Sequence, residues 1–148
     1  MKKIRIKRKI YEDKLDAVYD MTVQDSHHYI LADGTISHNT QDLFSKSVAG
    51  GGCLAPGSLI LMADDTFKAI DKIETGDKVK TLIGDKRILE TFEFEKETYE
   101  VEFEDGTKVV CSADHRFYVG ENEDDWIIEE GWINVKQLKE GMHVRKYD

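Results

Sequence analysis

A chain of 148 residues with 40% hydrophobic and 34% charged residues is long enough for one domain with a real core, and its composition is that of a soluble, globular protein. No apolar run approaches a membrane span, Met1-Lys2-Lys3-Ile4-Arg5 lacks a signal-peptide core, and a net charge of −9 argues against a nucleic-acid partner. Two cysteines, Cys53 and Cys111, are too few for a disulfide framework and predict a cytoplasmic, reducing setting with a free thiol.

The first segment is basic. Residues 1–14 hold seven Lys/Arg against two Asp/Glu, whereas residues 53–148 hold thirteen against twenty-three. A basic arm beside an acidic body predicts mutual attraction, the alternative being a solvated strand with its basic side chains outward. Ile4, Ile6 and, after a shift, Ile10 alternate with basic residues as in a strand. Val18–Val23 and His28–Leu31 read as two further strands, and Asp33-Gly34 before Thr35-Ile36-Ser37 signals a hairpin. Residues 40–52 break this pattern and end in Gly50-Gly51-Gly52, so they read as an exposed loop foreign to the core. Beyond them Leu59–Met62, Lys78–Leu82, Tyr99–Phe103 and Thr107–Val110 read as strands, with Asp105-Gly106 joining the last two and Gly84-Asp85 forming another turn. Helical signals are a turn or two long, around Ala69–Ile73 and Val135–Leu138.

Ala69–Lys80 and Asn134–Arg145 repeat one pattern, with apolar residues, a glycine and a following valine in register. Two such copies predict a pseudo-twofold, all-β domain, and two are too few for a solenoid.

Four stretches resemble the sequence blocks of inteins, in the Hedgehog/intein (HINT) superfamily. Cys53-Leu54-Ala55-Pro56-Gly57-Ser58 resembles the opening block, whose cysteine is the first nucleophile. Gly106–His115 resembles the Thr-x-x-His block, with Ser112 at the usual threonine. Val18–Tyr29 resembles the penultimate block, and Gly34-Thr35-Ile36-Ser37-His38-Asn39 with Thr40 the closing block and first downstream residue. The blocks run in permuted order. Residues 1–39 resemble a C-terminal intein piece and residues 53–148 an N-terminal one, with 40–52 between them as an extein-like loop. The resemblance implies a single, circularly permuted, horseshoe-like HINT domain over residues 1–148, and requires Met1 and Asp148 to lie close together.

It also implies the chemistry. Cys53 would attack the Gly52 carbonyl in an N–S acyl shift, with His115 supplying the proton to the departing nitrogen and Ser112 and Asp114 positioning the groups. Thr40 would take over the acyl group, with Asp20 orienting or deprotonating it. Asn39 would cyclise and break the Asn39–Thr40 bond, with His38 polarising the carbonyl and His27 assisting; Tyr29, two residues beyond His27, selects it over His28. Splicing would join Thr40 to Gly52 and release residues 40–52 as a ring. The only partner implied is this flanking peptide, on a monomer with no membrane or nucleic-acid partner.

Two other readings stand. The chain could be a tethered intein precursor that does not splice. It could be a Cys/His hydrolase using Cys53 and His115, although that gives no reason for His38-Asn39-Thr40. Cys111 reads as a buried strand residue, and Cys111 with His115 lacks the further ligands of a zinc site. No cofactor is expected, since no phosphate loop or dinucleotide fingerprint is present.

Overall fold

The computed structural model describes residues 1–39, 52–122 and 124–148. It is an all-β protein of eleven strands with short 3-10 turns. Two very long strands form its spine: β1 (Lys2–Val23) and β7 (Gly84–Phe103), antiparallel from Ile6↔Phe103 to Val23↔Ile88, with three shifts of register. The basic and second apolar runs of the sequence are therefore one continuous strand. The near half of β7 gave no strong signal because it is rich in glutamate. Its Phe92, Phe94, Lys96 and Thr98 nonetheless alternate onto one face, where the two phenyl rings stack.

β8 (Lys108–Ser112) continues from β7, β11 (His143–Lys146) lines the start of β1, and β6 (Lys78–Thr81) lines the start of β7. β2 (His28–Ile30) and β3 (Ile36–His38) form the expected hairpin. β3 joins β9 (Arg116–Tyr118), which pairs with β10 (Trp132–Asn134). β4 (Leu59–Leu61) and β5 (Phe67–Ala69) make a separate hairpin. The turn placed at Gly84-Asp85 instead centres on Leu82 and Ile83. Gly84, at φ +103°, opens β7, because Thr81 pairs with it across the turn.

The repeated sequence has a repeated hydrogen-bond pattern. Gly76 donates to the Ile88 carbonyl (2.9 Å) and Ile88 to that of Asp77 (2.8 Å); Gly141 donates to Ile6 (2.9 Å) and Ile6 to Met142 (2.7 Å). Each copy follows a short hairpin, Leu59↔Ala69 in the first and Arg116↔Asn134 in the second. Ile70, Ile73 and Val79 from one copy pack with Val135, Leu138 and Val144 from the other in a single core. The first copy turns through a 3-10 segment, Ile70–Lys72, and the second through a turn at Val135–Leu138 whose carbonyls accept from Lys9 Nζ.

The basic arm does meet acidic partners. Arg8–Glu102, Arg5–Glu104 and Lys3–Glu121 pair at 3.4, 3.9 and 3.8 Å, but at the surface such pairs contribute little each. The chain ends are adjacent, with the Met1 ammonium 3.2 Å from Asp148 Oδ1. No helix among the described residues is long and apolar enough to cross a membrane.

Two turns share the sequence Asp-Gly-Thr. In each, the aspartate accepts the threonine N–H and the glycine has positive φ: Asp33-Gly34-Thr35 (+91°) and Asp105-Gly106-Thr107 (+89°). They differ in surroundings. A Cβ on Gly106 would meet nothing within 4 Å, whereas one on Gly34 would lie 2.4 Å from the Tyr147 carbonyl oxygen. Gly106→Ala should therefore cost only the left-handed penalty of about 1–2 kcal/mol. Gly34→Ala should cost clearly more, because β11 must also move. Urea midpoints of the two variants give the comparison; equal losses would refute the close approach.

Candidate functional site

The hairpin of β2 and β3 delivers Ser37, His38 and Asn39, and β8 with the turn after it delivers Ser112, Asp114 and His115. The backbone after Cys53 threads between the two halves. Leu54 exchanges both its backbone hydrogen bonds with Tyr19 of β1 (2.8 Å each), bridges to Cys111 of β8, and is followed by Ala55 donating to Val110. Cys53 is thereby fully buried, its carbonyl accepting from Ser112 N–H at 2.9 Å.

At the Gly52–Cys53 bond, the Cys53 N–H donates to Ser112 Oγ (2.9 Å), and the Ser112 hydroxyl donates to Asp114 Oδ1 (2.6 Å). Ser112 and Asp114 therefore hold the peptide at the bond expected to break. Gly52 lies directly against His115: a Cβ there would sit 2.2 Å from His115 Cα and 2.8 Å from its Nδ1, so only glycine fits. The buried His115 ring reaches the other way as well, with Nε2 hydrogen-bonded to Ser37 Oγ at 3.1 Å. Nδ1 lies on the Gly52 side, within reach of the Gly52 backbone.

At the Asn39 carbonyl, His38 Nδ1–H donates to the oxygen at 2.5 Å, the contact required to polarise it. Asn39 is buried and its N–H donates to the carbonyl of His27. His27 has φ +54°. Its ring lines a cleft of about 430 Å³ with His38, Arg116, Trp126 and Trp132. His27 Nδ1 is buried without a hydrogen-bond partner among the described residues, and the cleft shared with His38 is what places this ring beside the Asn39 region. Asp20 is buried and accepts from the Tyr29 hydroxyl at 3.3 Å. Thr40 and residues 41–51, and with them the Thr40 role, lie outside the described residues. Among the described residues no group of three or more potential ligands gathers into a metal site.

Burial dominates the electrostatics. The Cys53 thiol is pushed up to about 12, first by desolvation and then by Asp20, with Lys96 opposing and Asp114 adding to the rise. Desolvation lowers His115 to about 4, partly offset by Asp114 and the Gly52 backbone, and lowers His38 to about 3 with help from Arg116. His28 is likewise lowered by burial to about 4. Its Nδ1–H donates to the Ser26 carbonyl (2.7 Å) and its Nε2 accepts from Leu82 N–H (2.9 Å). His28 is thus a satisfied strand residue, and Cys111 is a buried strand residue whose thiol burial pushes up.

The sequence picked out most of this constellation but missed four members. Ser37 lies inside the closing motif and was open to discovery as a polar residue on a buried strand face. Tyr29, the partner of Asp20, entered only as a spacing marker. Lys96 and Arg116 carried no local signal. No protein-family model matches this sequence, and no curated protein matches it.

Three buried neutral histidines make stability depend on pH. In the unfolded chain they take up protons near 6.5; folded, they remain neutral down to about 4 or 3. Between those values the unfolded state binds more protons, so stability falls as pH drops through the window. Urea midpoints should be lower at pH 5 than at pH 7.5, and NMR should show the rings of His28, His38 and His115 still neutral at pH 5. A midpoint that rises on acidification contradicts this.

Proposed function

We propose that this chain is a self-splicing domain of the intein type in circularly permuted order, with residues 40–52 as its substrate and no cofactor. The observation that carries the reading is the double placement of histidines at the two bonds to be broken. His115 packs on Gly52 beside Cys53, His38 donates to the Asn39 carbonyl, and Ser37 links the two regions through His115 Nε2. A Cys/His hydrolase needs only the first of these. The repeated hydrogen-bond pattern supports a pseudo-twofold HINT-like fold. The Met1–Asp148 ion pair supports the permutation, since ends that meet can be joined or cut without moving the strands.

In the first step Cys53 Sγ bonds to the Gly52 carbonyl carbon, the C–N bond breaks, and the thiol proton ends on the Cys53 nitrogen. The acyl group then passes to the Thr40 hydroxyl. Asn39 Nδ2 attacks its own carbonyl carbon, closes a succinimide and releases the Thr40 amine. That amine captures the ester to give a cyclic peptide of residues 40–52. Residues 1–39 and 53–148 remain paired through the β1–β7 ladder.

A second reading is favoured by one observation. A thiol held at about 12 is protonated at neutral pH, which suits a precursor resting at the amide stage. Time-resolved intact mass separates the two. Splicing yields residues 1–39, residues 53–148 and a 13-residue ring without free ends. Asn39→Ala should abolish the ring while preserving thiol-induced cleavage after Gly52. Cys53→Ala should abolish that cleavage while preserving scission before Thr40. An unmodified chain that stays intact with thiols at mildly basic pH rules out active splicing; peptide release by Cys53→Ala on both sides indicates an external protease.

A further inference from the structure

Resting on the splicing reading, we propose that Lys96 of β7 is a positioning residue for scission at Gly52–Cys53, anchoring a relay that ends on the nitrogen that has to leave. Lys96 Nζ donates to Asp114 Oδ2 at 3.2 Å, Ser112 donates to Asp114 Oδ1 at 2.6 Å, and Cys53 N–H donates to Ser112 Oγ at 2.9 Å. The carboxylate is therefore held at both oxygens, one by the cation and one by the hydroxyl. A serine hydroxyl has a single proton. Once that proton is committed to Asp114, the Ser112 oxygen can only accept, and its lone pair is aimed at the Cys53 amide. Lys96 thus fixes the last link from two residues away without touching the reacting atoms.

The strand places it there. Lys96 shares a face of β7 with Thr98, and Thr98 is paired with Ser112 in the β7–β8 ladder. Among the described residues Lys96 also faces Asp16, opposite it on β1, the ring of Phe94 at 5.5 Å, its neighbour Glu97, and Asn134 and Lys136 across a cleft of about 440 Å³. Asp16 also pairs with Lys14 at 3.7 Å. Lys96 is also the cation that offsets Asp20 and Asp114 at the Cys53 thiol.

The acyl shift is an isomerisation and needs no co-reactant. As the C–N bond breaks, the nitrogen goes from planar to pyramidal and takes up the thiol proton. An N–H anchored on Ser112 keeps that nitrogen in place while its lone pair turns toward the proton.

The test uses the full chain with Lys96→Met, Lys96→Gln and Lys96→Arg. Three quantities are followed: dithiothreitol-induced cleavage after Gly52, cleavage before Thr40, and the Cys53 amide proton resonance. Loss of the cation should slow the first cleavage roughly ten-fold, the rate equivalent of one charge-assisted hydrogen bond. Cleavage before Thr40 and the thermal midpoint should be unchanged, the amide proton should move upfield, and Lys96→Arg should recover most of the rate. Equal slowing of both cleavages, an unchanged first cleavage, or an Arg variant no better than Met overturns the proposal. Should the unmodified chain be inert to dithiothreitol, the splicing reading falls instead; the amide resonance still decides the relay, and no movement in Lys96→Met overturns it.

Discussion

Both halves of the site hang from one buried ammonium. Lys146, at the end of β11, is fully buried and donates to Asp33 Oδ2 (3.2 Å), Asp105 Oδ2 (2.9 Å) and Thr107 Oγ1 (2.6 Å), with the Phe103 ring 4.1 Å from the charge. The two aspartates belong to the two Asp-Gly-Thr turns. One turn leads within a few residues into β3 and on to Ser37, His38 and Asn39; the other leads through β8 to Ser112, Asp114 and His115. A single cation therefore sets the position of the residues around Asn39 relative to those around Ser112 and His115. Buried ion clusters gain little net stability, because desolvation consumes the Coulombic attraction, but removing one partner generally costs about 3–5 kcal/mol. Here the cluster's effect is on geometry more than on stability: it fixes where two hairpins from distant parts of the chain meet.

The second constraint is the passage of the backbone at Leu54. Its paired hydrogen bonds to Tyr19 and its bridge to Cys111 draw the residue before it into the interior between β1 and β8. Cys53 cannot be held this firmly and remain solvated. Its raised thiol, the lowered His115 and the Ser112 contact with its amide all follow from one placement. The same burial that orients Cys53 suppresses its ionisation.

Legibility in the sequence tracked locality. The Asp-Gly hairpins, the two glycine-centred repeats and the short apolar strands could be read because turn chemistry and alternation act over a few residues. Asn39 and Cys53 stood out because they sit in compact motifs. The glutamate-rich half of β7 could not, since its strand character comes from pairing with β1, whose partner residues lie 65 to 76 positions away, from Val23↔Ile88 to Val18↔Phe94. For the same reason Lys96, Arg116 and Lys146 were silent: each acquires its role only when β7, β9 and β11 bring it to a distant carboxylate, imidazole or turn. His28 was separable from His27 by spacing, and the structure adds the reason. The His28 ring has both nitrogens satisfied by backbone and none left for chemistry.

The state of the titratable groups limits how the proposed chemistry can run. Burial pushes the Cys53 thiol up to about 12 and so holds it protonated at neutral pH. In the proposed chemistry the proton would leave sulfur as the sulfur approaches carbon. The nearby histidines suit that. Neutral imidazoles held by burial can accept at one nitrogen while donating at the other, so a proton can pass without a net charge being created in a dry site. His115 has its two nitrogens facing different sides of the site, Nε2 toward Ser37 and Nδ1 toward Gly52. His38, by contrast, has its Nδ1 proton committed to the Asn39 carbonyl, which polarises that bond without moving a proton. The two histidines thus differ in their hydrogen bonds, and in the proposed chemistry they would serve different tasks. In the proposed chemistry both steps move a proton, from sulfur to the Cys53 nitrogen on the N-side and from Asn39 Nδ2 to the Thr40 nitrogen on the C-side, where His38 would hold the Asn39 carbonyl polarised meanwhile.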